Sequence, residues 1–177
     1  MFEKIKNNNG NNEEKLLERL QSANGNAEEL YNIGLEFLEC KNQPKAIECL
    51  QKAVEIKDDF HQAWEKLALV FYENKEYAWA REIFLRILKI DSNNFLALKL
   101  LGLLFYYEKQ LNYSGTYLKK ALLIKSDDHE IWFHLGLLAA SEKEYSKAQN
   151  YLENALRLKP YYREARKEMN RIAKIIS

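Results

Sequence analysis

The chain has 177 residues, 30% of them charged and 47% hydrophobic, with only 2 Pro and 6 Gly. That balance suits a single globular domain or one repeat array, with helix formers dominating. A formal net charge of +1 offers no whole-molecule attraction to nucleic acid or to a membrane surface. The two cysteines, Cys40 and Cys49, are too few for a disulfide framework, and no Cys/His pair has zinc spacing. With no apolar leader at the N-terminus and no long apolar run, the expected setting is a reducing cytoplasm.

Charge is unevenly distributed. Residues 1–60 hold 8 Lys/Arg against 12 Asp/Glu, whereas residues 157–177 hold 7 against 2. The N-terminal end is therefore expected to be acidic and the C-terminal end basic.

In chain order, residues 1–12 include Asn7-Asn8-Asn9-Gly10-Asn11-Asn12, a low-complexity run expected to be a disordered tail. Residues 13–26 hold a short helix around 13–22, carried by Leu16, Leu17 and Leu20, and a linker. From residue 27 the chain superposes on itself at a shift of 34. Leu30, Trp64, Leu98 and Trp132 fall in one column, and Ile33, Leu67, Leu101 and Leu135 in the next. Gly34, Ala68, Gly102 and Gly136 form a column of small residues, followed by Phe37, Phe71, Phe105 and Ala139. The second half of each unit repeats as well: Ala46, Ala80, Ser114, Ala148; Leu50, Phe84, Leu118, Leu152; Ala53, Ile87, Ala121, Ala155.

Four ungapped units result, 27–60, 61–94, 95–128 and 129–162. Each reads as two helices, because apolar residues recur at i, i+3, i+4 and i+7 on either side of a short polar break. Pro44 sits where a second helix would start, a position that tolerates Pro. Asp58-Asp59, Ser92-Asn93-Asn94 and Asp127-Asp128 are N-cap material for the helices that follow. The small columns let paired backbones approach closely. Residues 163–177 are expected to form a capping helix with a stripe of Met169, Ile172, Ala173 and Ile176. Arg163, Arg166, Lys167, Arg171 and Lys174 would solvate its remaining faces.

The pattern Trp64-x2-Leu67-Ala68-x2-Phe71, then Ala80, Phe84 and Ile87, resembles the tetratricopeptide repeat signature. The fourth unit, with Trp132, Leu135, Gly136, Ala148, Leu152, Ala155 and Pro160, is the best match. The resemblance covers 136 residues in four consecutive units and implies an all-α fold. That fold would be a right-handed alpha-alpha superhelix of four 34-residue hairpins with a C-terminal capping helix. Three features depart from the family pattern. Ile87 stands in a small column, Ala139 replaces an aromatic, and Lys41, Lys75, Lys109 and Lys143 occupy a turn column that favours Gly or Asn. Tight or strained turns are expected at those lysines.

No catalytic motif is present: HExxH, GxSxG, Walker A and GxGxxG are all absent. His61 and His129 share a repeat column at the start of a unit and read as surface residues. His134 has no evident base or metal partner in the sequence. An enzyme is not expected, nor are a cofactor or a metal. Helical repeats that read RNA need polar base readers and a basic surface, which these columns do not supply.

The resemblance implies that the first helix of each unit lines a concave groove. The groove would then be built from Tyr31, Leu35 and Leu38, from Glu65, Leu69 and Tyr72, from Lys99, Leu103, Tyr106 and Tyr107, and from Phe133, Leu137 and Ala140. Leu35, Leu69, Leu103 and Leu137 form one apolar column flanked by tyrosines, a surface suited to protein contact. Ala139 and Ala140 are expected to leave a hollow in the last unit that could receive a ligand side chain. The basic clamp by which some family members hold a chaperone's terminal carboxylate has no match, since its positions carry Tyr31, Leu35, Lys66, Leu96 and Leu100. The expected partner is another protein or peptide, apolar with some basic residues, with no nucleic acid and no membrane. A client-holding secretion chaperone and a self-assembling homo-oligomer are the alternatives.

Overall fold

A computed structural model describes residues 14–23 and 25–176. The predicted tail over 1–12 lies outside them. The described chain is helical: α1 (residues 14–22), α2 (Ala27–Glu39), α3 (Gln43–Ile56), α4 (His61–Glu73), α5 (Tyr77–Ile90), α6 (Phe95–Tyr107), α7 (Leu111–Ile124), α8 (His129–Ser141), α9 (Tyr145–Leu158) and α10 (Arg163–Ile176). Helices α2 to α9 pair in sequence order as four hairpins, and their first members (α2, α4, α6, α8) are called A helices and their second members B helices. The chain divides into two compact units, Met1–Ile90 and Asp91–Ser177.

Each hairpin closes on its small columns. At Gly102 an added Cβ would lie 2.6 Å from the Leu118 side chain, and at Gly136 it would lie 2.8 Å from Leu152. Glycine is required at both because α6 and α8 rest directly on the leucine of their B partners. Ser114, at 0% exposure, replaces the alanine of its column and donates its hydroxyl to the Gly102 carbonyl at 2.8 Å, so the polar atom is satisfied. Ile87 is buried like Ala53, Ala121 and Ala155 in the same column.

The lysine turns adopt one geometry four times. Lys41, Lys75, Lys109 and Lys143 have φ of 60°, 63°, 63° and 63°, the left-handed region. At the first turn the Lys41 amide donates to the Leu38 carbonyl at 3.0 Å and the Asn42 amide to Phe37 at 2.8 Å. This double return is the Schellman ending, which satisfies carbonyls the helix leaves open. A side chain at that position carries a steric penalty that glycine would not.

Caps depart from expectation at one junction. Asn26, Asn94 and Asp128 accept from backbone amides of α2, α6 and α8, but α4 starts at Phe60 with no side-chain cap. There Asp58 instead pairs with Arg86, whose guanidinium stacks 4.5 Å from the centre of the Trp64 ring. The Trp64 indole N–H donates to the Asp58 carbonyl at 2.8 Å, and Trp132 does the same to Ser126 at 2.7 Å. Each tryptophan thereby ties the first turn of an A helix to the loop before it.

The ends are covered. Leu16 on α1 is buried, and Arg19 reaches Glu29 and Glu36 of α2 at 2.6 and 2.8 Å. In the later repeats the columns of Glu29 and Glu36 hold the buried residues Ala63 and Val70, Ala97 and Leu104, and Ile131 and Leu138. Helix α1 therefore covers the face of α2 that is buried in every later A helix. At the other end, α10 packs on α8 and α9 through Ala165, Met169 and Ile172. The predicted stripe is corrected at two positions, Ala173 and Ile176, which are exposed.

Candidate functional site: the A-helix surface

In the first unit, α2 and α4 border a cleft of about 540 Å³ whose walls include Leu38, Leu69, Lys66 and Glu73. Leu35 and Glu65 are half-buried on the same helices. Tyr31 packs at a tilt against Phe60 with ring centres 5.1 Å apart, and Tyr72 meets Tyr77 at 5.7 Å. Both tyrosines thus lean on neighbouring rings instead of standing free. At this end Arg19 holds Glu29 and Glu36 and Lys57 holds Glu28 at 2.7 Å, while Glu39 and Glu73 stay exposed.

The second unit presents a different surface. Helix α6 buries eight of its thirteen residues, among them Leu100 and Leu103. Leu103 is 3% exposed and Ala140 7%, so neither offers the open surface expected of it. Lys99 is also committed. Its ammonium lies 2.7 Å from Asp128 and 2.8 Å from Glu130. Burial opposes its charge, but the two carboxylates outweigh burial and raise its pKa. Asp128 is affected in the same way. Burial would raise it, yet the Lys99 bond and two backbone amides hold it below the usual aspartate value.

What remains open is aromatic. Tyr106, Tyr107 and Phe133 surround the His134 ring at centroid distances of 5.1, 6.3 and 5.3 Å, and Tyr162 closes on Phe133 at 4.9 Å. Tyr107 is 59% exposed, and Phe133 and Leu137 are half-buried. His134 is 5% exposed, with its Nδ1 2.9 Å from the Glu130 carbonyl oxygen. Burial lowers its pKa, so the ring sits neutral among its aromatic neighbours. Burial and the nearby Glu130 charge push the Tyr162 hydroxyl up to about 12.

Sequence reasoning did not assign His134, Tyr162 or Lys66 to the binding surface, though it placed Glu73 beside the groove. A signal for Tyr162 was present: Tyr31 with Phe60 and Phe133 with Tyr162 are the same pair of repeat columns, three repeats apart. Lys57 lies 5.1 Å over Phe60 and Lys159 4.9 Å over Tyr162, which completes the correspondence. For His134 the signal was its column, shared with Lys66 and Leu100.

The hollow expected beside Ala139 and Ala140 opens elsewhere. Ala139 lines a cavity of about 260 Å³ bordered by α7, α8 and α9, on the B-helix side.

Among the described residues no group of three or more His, Cys, Asp or Glu could hold a metal, and no helix is long and apolar enough to cross a membrane. Burial pushes the Cys49 thiol up to about 11, which leaves little thiolate for reaction. Two family models, both described as tetratricopeptide repeat, match residues 17–95 and 129–162. The chain is a tetratricopeptide repeat protein. Its third repeat, which carries Ser114-Gly115-Thr116, lies outside both matches. No curated protein is similar enough to count as a match.

Solved structures of this tetratricopeptide repeat fold are similar over most of the chain. YrrB, described as "a TPR protein with an unusual peptide-binding site", is 18% identical with a TM-score of 0.77, covering 90% of this chain and 82% of its own. MamA of Desulfovibrio magneticus RS-1 is 19% identical with a TM-score of 0.71, over 86% of this chain and 88% of that one. Pseudomonas aeruginosa pilF is 27% identical with a TM-score of 0.67, over 82% of this chain and 67% of that one.

Proposed function

We propose that this tetratricopeptide repeat protein is a non-catalytic binding module that takes a peptide or helical segment of another protein on its A-helix surface. The observation that carries this reading is the aromatic cluster of the second unit, where Tyr107 is 59% exposed above Tyr106, Phe133 and His134. Tyrosine gives large contact area and a hydroxyl for hydrogen bonding at small entropic cost, the chemistry enriched at binding hot spots. Support comes also from the cleft of the first unit, where Leu38 and Leu69 supply apolar wall and Lys66 and Glu73 supply charges of both signs. YrrB, a protein of this fold, has a peptide-binding site. The preferred segment carries a bulky apolar or aromatic anchor for the second unit.

The test is selection of peptides from a displayed library on the wild-type protein, with each binder measured again on Tyr107→Ala and Phe133→Ala. Both substitutions lie at partly open side chains, so the fold should survive, as circular dichroism would report. Binders should weaken at least about tenfold, the loss expected on removing one aromatic contact. Binders that keep full affinity for both variants would reject the surface. Leu103→Glu is unsuitable, because its charge would be placed in the core.

A further inference from the structure

The 260 Å³ cavity between α7, α8 and α9 has a definite origin. Its floor is Ala139, in the column held by Phe37, Phe71 and Phe105 in the other repeats. Those phenyl rings are buried at 0%, 7% and 8% exposure. In the third repeat Phe105 stacks on Tyr117 of its own B helix at 5.4 Å and 17°. Tyr151 occupies the place of Tyr117 in the fourth repeat, and it lines the cavity beside Ala139. The opposite wall is Gly115 of α7, where only the Leu138 side chain comes within 4 Å of an added Cβ. The space is therefore a vacated phenyl slot, widened by a glycine and walled by Leu135, Leu138 and Tyr151.

We infer that this slot is a second binding site, on the B-helix side, for an aromatic side chain that an acidic segment of a partner protein presents. The size is adequate, since an apolar protein cavity of about 150 Å³ is enough to take up benzene. The stacking partner is already in place, because Tyr151 stands where Tyr117 receives Phe105. The charge preference follows from the rim. Helix α7 carries Lys119 and Lys120 and no acidic residue from Leu111 to Ile124. The charged residues lining the cavity are Lys119, Lys147 and Glu142; Lys147 is held by Glu144 at 2.7 Å, and Lys119 on α7 makes no ion pair with any described residue. A carboxylate on the α7 side of the inserted ring would meet Lys119, with Lys120 next to it in the chain. The site shares no residue with the A-helix surface proposed above, so either can fail without the other.

The experiment titrates the full chain with acetyl-Asp-Phe-Asp-amide and, in parallel, acetyl-Asp-Ala-Asp-amide, following the methyl resonances of Ala139 and Leu138. The Phe peptide should shift both methyls saturably and bind at least about tenfold more tightly than the Ala peptide, the ratio expected for burying one ring. Ala139→Phe fills the slot from its floor and Gly115→Leu fills it from the opposite wall. Each should abolish binding, while Tyr107→Ala leaves it unchanged. If Ala139→Phe fails to fold, Gly115→Leu decides. Absence of saturable shifts, equal binding of the two peptides, or binding that survives in a folded plugged variant would overturn the assignment.

Discussion

The two compact units place opposite chemistry on the same repeat columns. One column reads Asn32 and Lys66 in the first unit, and Leu100 and His134 in the second. Lys66 borders an open cleft, whereas Leu100 and His134 are buried at 8% and 5% exposure. A second column reads Glu39 and Glu73, then Tyr107 and Ser141, all exposed. Glu39 and Glu73 stay solvated at the first unit's surface, and Lys66 is half-buried beside the cleft. In the second unit Leu100 and His134 close the surface, with Tyr107 exposed at its edge. The repeat geometry is therefore indifferent to whether this surface is open or closed, and a few column residues decide it.

The contrast can be tested first at the helix contacts. Gly102→Ala should destabilise by about 2 kcal/mol, because its Cβ would press on Leu118 at 2.6 Å. Gly34→Ala meets its nearest neighbour, Leu50, at 3.2 Å and gains helix propensity, so it should be close to neutral. Urea unfolding midpoints separate the two, and equal losses would show that the units are packed alike.

Acid should act on the second unit through Asp128, which caps α8 and binds Lys99. Its pKa is depressed in the folded state, so its contribution is present above the unfolded value of 3.8 and fades as pH falls through the lower folded value. Asp128→Ala should cost about 1–2 kcal/mol at neutral pH. It should also flatten the stability profile below pH 3.8, as thermal unfolding at several pH values would record.

The smallest effect should be common to both units. Lys75→Gly and Lys109→Gly each remove a side chain from a left-handed residue, at φ 63° in both cases, and should stabilise by about 1 kcal/mol. A gain at one and a loss at the other would mean that one lysine stem makes a contact outweighing its strain.

The hairpins, their 34-residue register, the close glycine contacts and the unusual lysine turns were all legible in the sequence. Each depends on residues near one another in the chain or fixed by the repeat. The exposure of the A-helix surface was not legible in the same way. Leu103 and Ala140 occupy groove columns but are buried, because α6 and α8 are apolar on nearly every side and pack accordingly. The pairing of Arg19 with Glu29 and Glu36 was not legible either, because Arg19 comes from a helix outside the repeats. Ala139 did announce a missing ring, but which side the gap faced depended on Gly115 in the preceding hairpin.

The tryptophan hydrogen bonds have a practical consequence. Of three tryptophans, Trp64 and Trp79 belong to the first unit, and Trp132 alone reports on the second. Replacing Trp64 and Trp79 by Phe leaves a single indole whose emission should shift to longer wavelength when the loop at Ser126 lets go of its N–H. Unfolding of the second half of the chain could then be timed by fluorescence, without an added dye.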